Sequence, residues 1–550
     1  MLKVSAKSSL DKMSLTQSLS LYADFILKNA PRVITQIDKD SDSSTYGSCD
    51  RSHWHLKIRD FDSAILQQTG LALTMLYQIA FPDNIYYGKE NIKKWAIASA
   101  QYWAKIQLRD GSYNEYYPNE HGFPPTAFTL YTVSEVYLRL QLDDAFIKNK
   151  IAKTAKYLCS NVETKAFNQE MASITGLYNA YRVLGEQWVL DGCEKKLKRI
   201  LSLQSPEGWF QEYGGADLGY LSVFLDMLCE YYASSKDERV VQPIGKIIDF
   251  VKYFIHPNAT VGGEYASRNT TYFLPSGLEI ALQLGFNDAA AIKQKLYAAT
   301  NSYAYFMDSV DDRYFSHYLL HSFLRALEHE QKNDAVTMIP ALPYENAETR
   351  YFEHSGLIVY NNACYAAIVG LRKGGVIIVF NKKRCIFIDC GYRVSFGNAA
   401  AATTNWQDPS YECSFSGNIA KVQGKMNKVH LKSSTPLLLA GLRLAAFFFG
   451  KKIINYLKSK LIFVDKHVDI TFRRTIIFER EIITIKDYLS SANPVLYETA
   501  DNMSLRHVAS GKFFSLTDLL ANRRELKYGT ELEIERILNV ETENMTECVN

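Results

Sequence analysis

From about residue 63 to 330, apolar side chains recur at i, i+3, i+4 and i+7. SAILQQTGLALTMLYQIA, NIKKWAIASAQYWAKIQL, TAFTLYTVSEVYLRLQL and QEMASITGLYNAYRVLG all carry this spacing, as do LSVFLDMLCEYYASS and QPIGKIIDFVKYFI. It is the period of a helix with one buried face. Strand patterns are nearly absent here, and short loops bearing Gly or Pro divide the helices. After about residue 345 the pattern changes. GLIVYNNACYAAIVGLRKGGVIIVFNKKRCIFIDCGY and VDITFRRTIIFEREIITIKDYL alternate β-branched and aromatic residues between turn residues, which predicts strands. No helices are regularly interleaved, so the sheet is expected to be antiparallel.

The loops of the helical half repeat. IQLRDGSYNEYY (106–117) aligns with SLQSPEGWFQEYGG (202–215), each reading Gln, acid–Gly, an aromatic, then Glu-Tyr. A third loop, HPNATVGGEYASRNT (256–270), keeps the Gly and the Glu-Tyr. Repeated helix pairs must stack to bury their faces, at roughly 40–50 residues per pair. The expected fold class is multidomain α+β. Residues 1–62 form an N-terminal segment with an entrance loop, 63–335 an incomplete (α/α) toroid, and 345–550 an antiparallel β-sandwich.

One stretch does not fit the sheet. TPLLLAGLRLAAFFFGKKIINYLKSKLIF (435–463) predicts one or two helices, and residues 421–486 hold 14 Lys and Arg against 4 acids. Two outcomes are expected of it: a helix packed across the sandwich with a solvated basic face, or a peripheral anchor on anionic lipid.

Composition changes this picture little. A hydrophobic fraction of 47% and a charged fraction of 22% are those of a globular protein. A net charge of +3 gives no support to nucleic-acid binding. Nine cysteines without a CxxC argue against a zinc ribbon or a disulfide framework, and for a reducing compartment. The first residues lack the apolar core of a signal peptide, and no run reaches the ~20 apolar residues of a spanning helix. A cytoplasmic location, peripheral to the inner membrane through 435–463, is the expectation. Aromatic content is high, with 36 Tyr among the 13% of aromatic residues. Such rings suit both helix packing and stacking on sugars.

A helical toroid followed by an antiparallel sandwich resembles the heparinase II/III-like polysaccharide lyases and related uronate epimerases. RYFEHSGLIVYNN (350–362) resembles the start of that group's β-domain, and the Tyr, Arg and Asn of EYASRNT resemble its catalytic face. The resemblance implies proton abstraction from C5 of a uronic acid. Fixed donors must meet the carboxylate, and a base must take the proton. Loss of the C4 substituent then gives β-elimination, whereas return of a proton from the opposite face gives C5 epimerisation. An acidic polysaccharide or lipid-linked glycan is the implied partner.

The candidate residues follow from this chemistry. Tyr265 is expected as the base, with Arg268 lowering its pKa and Asn269 binding the carboxylate; His256 lies nine residues upstream. In YGSCDRSHWHLKIRDFDSA (46–64), Trp54 would stack on a sugar, Asp50, Arg51 and Lys57 would bind it, and His53 would act as acid or base. The competing reading of that stretch is an ion-pair network. His121 is a second acid/base candidate, and Glu115, Glu170, Tyr213 and His354 are substrate-binding candidates. Asn168 is a further one, although it also suits a helix N-cap. No cofactor or metal is expected, since His53-x-His55 lacks a third ligand nearby. Three rivals remain at this level. The Gln–Gly–aromatic loops also resemble those of terpenoid cyclases, which need an Asp-rich motif; DSVDDRY (308–314) has three aspartates but lies after the last loop repeat. A glycoside hydrolase would draw a carboxylate pair from Glu115, Glu212, Glu264, Asp50 and Asp217. The third is a glycan-binding protein without catalysis. No oligomeric state is implied.

Overall fold

The computed structural model describes residues 20–298, 300, 305–333, 338–396, 400–430, 434–450, 452–453, 466–499, 514 and 526–549. Helices come first and antiparallel strands follow. Six helices are buried nearly all round: Thr69–Gln78, Phe123–Arg139, Phe167–Leu184, Leu218–Ser235, Ser276–Gln283 and Leu320–Glu330. Each packs against the next, and the last packs against the first, so the contacts run in a closed cycle. Half-exposed amphipathic helices pack outside them, including Glu90–Lys105, Ala145–Ser160, Gln187–Leu201 and Val241–Val251.

Local sequence explains where these helices begin. Asp144 accepts from the N–H groups of Phe146 and Ile147, and Asp217 from that of Tyr220, so both cap free donors. Pro124 and Pro125 occupy the first turn of Phe123–Arg139, where no N–H is needed. One helix, Ala23–Ile34, lies in the segment given no element by periodicity. It contains Pro31, and it packs on Leu320–Glu330 through Phe25 and Phe323, whose rings are 4.4 Å apart.

The repeated loops are clamps. Gly111 and Gly208 have φ of 94° and 104°, and a Cβ on either would sit 2.3 or 2.2 Å from a carbonyl oxygen, of Lys153 or Lys246, in an outer helix. Only glycine fits. The glutamine of each repeat holds the same helix one turn earlier: Gln107 Nε2 donates to Lys150 O, and Gln204 Nε2 to Pro243 O. The third loop does not share this device, because Gly262 is closed against Thr270 of its own loop.

The strands form two sheets, antiparallel throughout. The first runs β1 (Arg350–Phe352), β2 (Leu357–Asn361), β3 (Ala366–Gly370), β4 (Val376–Phe380) and β5 (Cys385–Asp389) in spatial order. Its alternation is apolar on both faces. Leu357, Val359, Ile368 and Ile378 join the helical core, while Ile358, Val369, Ile377 and Val379 join a second core shared with the other sheet. The first sheet is therefore a middle layer. The second sheet holds β6 (Tyr392–Ser395), β7 (Ala400–Thr403), β8 (Glu412–Ser416), β9 (Ile419–His430), β10 (His467–Phe478), β11 (Ile482–Thr499), β12 (Leu526–Asn539) and β13 (Asn544–Val549). Between the layers Arg474 and Arg536 pair with Asp389 and Asp487, at 2.5–3.2 Å.

The basic–apolar stretch yields a helix, Pro436–Phe449, in which Ala446 alone is buried. It does not pack across the sandwich. Arg443 pairs with Asp60 at 2.7 Å, which holds the helix beside the ring's loops instead. Part of the stretch, 454–463, lies outside the described residues.

Within the ring, Arg325 is 1% exposed and bonds three partners on two other inner helices. It donates to Asp226, to Tyr131 Oη at 2.7 Å, and faces Glu230 at 3.4 Å. Burial pushes the Asp226 carboxyl up to about 6, whereas at Glu230 Arg325 and His329 outweigh burial and hold the carboxyl low. Removing one partner of a buried pair leaves an uncompensated charge. Arg325→Met is expected to destabilise the helical half by about 3–5 kcal/mol, read as a lower urea midpoint by far-ultraviolet circular dichroism; an unchanged midpoint would mean the ring is not pinned there.

Candidate functional site

The loops preceding the inner helices gather at one end of the ring. Ser267 joins two of them, its N–H donating to Ala216 O at 2.9 Å and its hydroxyl to Glu212 O at 2.7 Å. This joint brings Tyr213 under Arg268, whose guanidinium carbon lies 4.3 Å from the ring centre and 5.7 Å from that of Tyr220. Tyr213 is half-buried and held at φ 53°. The Gln169 amide reaches its hydroxyl at 3.5 Å. Tyr220, Tyr272, Tyr314 and Tyr318 continue the aromatic wall, with centroids 5.7–6.3 Å apart.

Carboxylates stand behind this wall. Glu212 is buried and accepts from Asn168 N at 2.6 Å and Asn168 Nδ2 at 2.7 Å. Burial drives its carboxyl well above the usual range, with Asp217 adding to the rise. Asp217 caps Leu218–Ser235, bonds Thr270, and is pushed by burial up to about 6. Glu264 accepts from Asn269 Nδ2 and Asn405 Nδ2, both at 3.1 Å. Three buried oxygens around the cluster, Gln169 Oε1, Asp217 Oδ2 and Asn405 Oδ1, have no hydrogen-bond partner among the described residues. Such orphans suit the hydroxyls of a sugar.

The middle layer and second sheet complete the site. Asn405 and Gln407 lie between β7 and β8, and Gln407 packs over Gly215 beside Tyr213. Lys373, 3% exposed, follows β3. Burial holds its ammonium below the usual value while Glu264 pulls the other way. No local pattern marks these three residues as neighbours of Tyr213; they arrive through the sheet's connections.

Other candidates lie elsewhere. Tyr265 is 1% exposed, stacked on Phe254, with its hydroxyl 3.0 Å from His256 Nε2. Burial raises its pKa well above 10, and Asp217 adds to the rise, so Arg268 does not lower it. Burial also pushes His256 down to about 3. Asp50 is buried and accepts from Ser52 N, Ser63 N and Arg59, which is an ion-pair and capping role. His53 faces Arg59 O, Trp54 donates to Gln36 O, and Arg51 and Lys57 are exposed. His53 does line a cavity of about 270 Å³ with Asp60, Asp62, Tyr102 and Asn114. His121 sits on Asp110 at 2.8 Å and Ser112 at 2.9 Å. Glu170 is locked to Lys196 and Arg199 at 3.0 and 3.1 Å. His354 is exposed, and its backbone N–H donates to Glu207. Asn168 is not an N-cap; Ala166 holds that position. Glu115 pairs with Arg313 at 2.6 Å, and Arg313 covers Tyr116 at 5.1 Å. An arginine thus lies over the tyrosine of both repeated Glu-Tyr pairs.

No protein-family model matches the sequence, and no curated protein matches it. Solved structures do. Streptomyces coelicolor A3 chondroitin AC lyase, in complex with chondroitin sulphate, aligns at TM-score 0.57 and 10% identity, over 89% of this chain and 69% of its own. A point mutant of that lyase aligns at TM-score 0.50 and 10% identity, over 98% and 77%. A heparan sulfate lyase HepC mutant from Pedobacter heparinus aligns at 0.40 and 11%, over 97% and 77%, too loosely to argue from. These three neighbours are polysaccharide lyases, as the resemblance implied, and at these identities the likeness is one of fold.

A carboxyl raised by burial favours the folded state only while protonated. Asp217, shifted from 3.8 to about 6, contributes stability below about pH 4 that is lost as pH rises through 6. The shift corresponds to about 3 kcal/mol. Asp217→Asn keeps the cap and abolishes this loss. Unfolding midpoints at pH 4 and pH 7 are expected to show the variant gaining on the parent at the higher pH; a parallel fall in both would contradict the assignment.

Proposed function

We propose that this chain is a polysaccharide lyase of (α/α)-toroid and β-sandwich architecture, acting on a uronate-bearing chain beside Tyr213. The single observation that carries this reading is the Arg268 guanidinium lying 4.3 Å over the half-buried ring of Tyr213. A C5 proton beside a carboxylate is weakly acidic, because its removal puts a second negative charge next to the first. Fixed cations and amide donors lower that cost. Arg268 and Gln169 supply them here, while Asn168 and Glu212 hold the loop that carries Tyr213.

In this mechanism Tyr213, as phenolate, takes the C5 proton. The electron pair left at C5 forms the C4–C5 double bond, and the C4–O bond breaks. The departing oxygen then takes the proton from the Tyr213 hydroxyl, which restores the phenolate. Arg268 stabilises the negative charge on both the phenolate and the substrate. Tyr220 and Tyr314, both half-buried, offer faces to the apolar sides of sugar rings. The likeness in fold to a lyase crystallised with chondroitin sulphate supports an acidic polysaccharide as substrate. If the proton instead returns to C5 from the opposite face, the same cluster serves an epimerase on a nascent or lipid-linked glycan.

The test is incubation with a panel of uronate polymers, chondroitin sulphate among them, reading absorbance of the new double bond and solvent-deuterium incorporation at C5. Absorbing, shortened products are expected. Deuterium without cleavage would mean epimerisation, and cleavage without absorbance hydrolysis. Tyr213→Phe is expected to lower turnover by roughly a hundred- to ten-thousand-fold, while Tyr265→Phe leaves it near the parent value. The reverse ranking would move the base to Tyr265.

A further inference from the structure

The Pro436–Phe449 helix is apolar except at Arg443, and most of its apolar side chains face solvent. Leu437, Leu438, Leu444, Phe447, Phe448 and Phe449 are 61–86% exposed. At 100° per residue these six positions cover an arc of about 200°, half-exposed Leu439 widens it to about 280°, and Arg443 with its pair to Asp60 occupies the gap. A helix that is hydrophobic all round belongs in a protein core or in lipid. Among the described residues no core covers this one, and Ala446 alone is buried. A groove on a protein partner would cover one stripe and leave the others wet.

Length and charge decide between the remaining environments. Fourteen residues make a helix of about 21 Å, short of the ~20 residues that span a bilayer. No helix among the described residues is long and apolar enough to cross a membrane. A segment this short enters one leaflet from the side it started on. The sequence around it is basic: residues 435–466 hold Arg443, Lys451, Lys452, Lys458, Lys460 and Lys466 against Asp465 alone. Lysines bordering an apolar helix match anionic headgroups at the level where the helix enters.

We infer that Pro436–Phe449 is an insertion helix that docks this protein on an anionic lipid surface. Its placement gives the docking an orientation. Arg443 is paired with Asp60 on the entrance loop, and Gly450 abuts His121, 3.3 Å from where its Cβ would be. The helix therefore projects from the loop end of the ring, the end that carries Tyr213 and Arg268. Docking there brings the mouth of the ring to the membrane surface, where a polymer still attached to lipid would reach it. The membrane contact stands or falls apart from the lyase reading, because it is measured without substrate.

Co-sedimentation of the full chain with vesicles tests this. Binding is expected to phosphatidylcholine vesicles containing about a third phosphatidylglycerol, and not to phosphatidylcholine alone. Two variants separate the contributions: Leu444→Asp with Phe447→Asp and Phe448→Asp, and Lys451→Glu with Lys452→Glu. The first is expected to lower partitioning by at least roughly tenfold and the second to weaken it and its salt dependence. The apolar sites are exposed, so both variants should keep the parent's circular dichroism and melting midpoint. Absence of binding to anionic vesicles overturns the proposal. So does a concentration-dependent dimer of the parent that the apolar variant dissolves, since the helix would then be covered by a second copy.

Discussion

Everything at the loop end of this molecule depends on one buried charge being satisfied across the ring. Arg325 comes from the last inner helix, and its partners Tyr131, Asp226 and Glu230 come from helices Phe123–Arg139 and Leu218–Ser235. A guanidinium withdrawn from water must be paired or expelled. Pairing it inside the cycle fixes how three inner helices sit relative to one another. Apolar packing alone tolerates sliding, because many registers bury similar area. Fixed registers put the preceding loops at one level, and Tyr213 meets Arg268 only at that level.

The middle sheet carries this order outward. Its strands are apolar on both faces, so they cannot end the protein on either side. The helical core covers one face and the second sheet covers the other. Because the second sheet is stacked there, the connection between β7 and β8 reaches back to the ring loops with Asn405 and Gln407. The site is therefore composite: Tyr213, Arg268 and Gln169 come from the ring, and Asn405 and Gln407 come from a strand connection more than 130 residues later. Burial against two neighbours also explains the inter-sheet ion cluster. Arg474 and Arg536 face Asp389 and Asp487 where all four are buried.

Much of this layout is legible in the sequence, for definite reasons. A 3.6-residue period survives in helices with one wet face, and strict alternation survives in strands, so the change near residue 345 is visible without coordinates. The Gln–Gly repeat is visible because the same clamp is used twice, at Gly111 and Gly208, and a carbonyl at about 2 Å from a missing Cβ permits no other residue. Its meaning is not visible. The repeat reads as site chemistry but serves to seat loops on outer helices. The choice between Tyr213 and Tyr265 is likewise closed to sequence. Both follow a glutamate on a Gly-bearing loop, yet one leans on an arginine at the mouth and the other turns inward to Phe254 and His256. That difference is set by which loops share Ser267's hydrogen bonds, a contact across 55 residues. Asn405, Gln407 and Lys373 carry no local signal at all. Helix Ala23–Ile34 is hidden by Pro31, which falls in its interior.

The two Glu-Tyr loops show how a repeated scaffold becomes a site. In each, an arginine from a later segment lies over the tyrosine: Arg313 over Tyr116 and Arg268 over Tyr213. The geometry is shared, but the electrostatics are not. Arg313 is bound to Glu115, so much of its charge is answered within the pair. The equivalent glutamate beside Tyr213 is Glu212, which accepts from Asn168 instead and whose carboxyl is pushed up by burial. The two repeats thus share the arginine over the tyrosine and differ in the partner of the glutamate, an arginine at the first loop and Asn168 at the second.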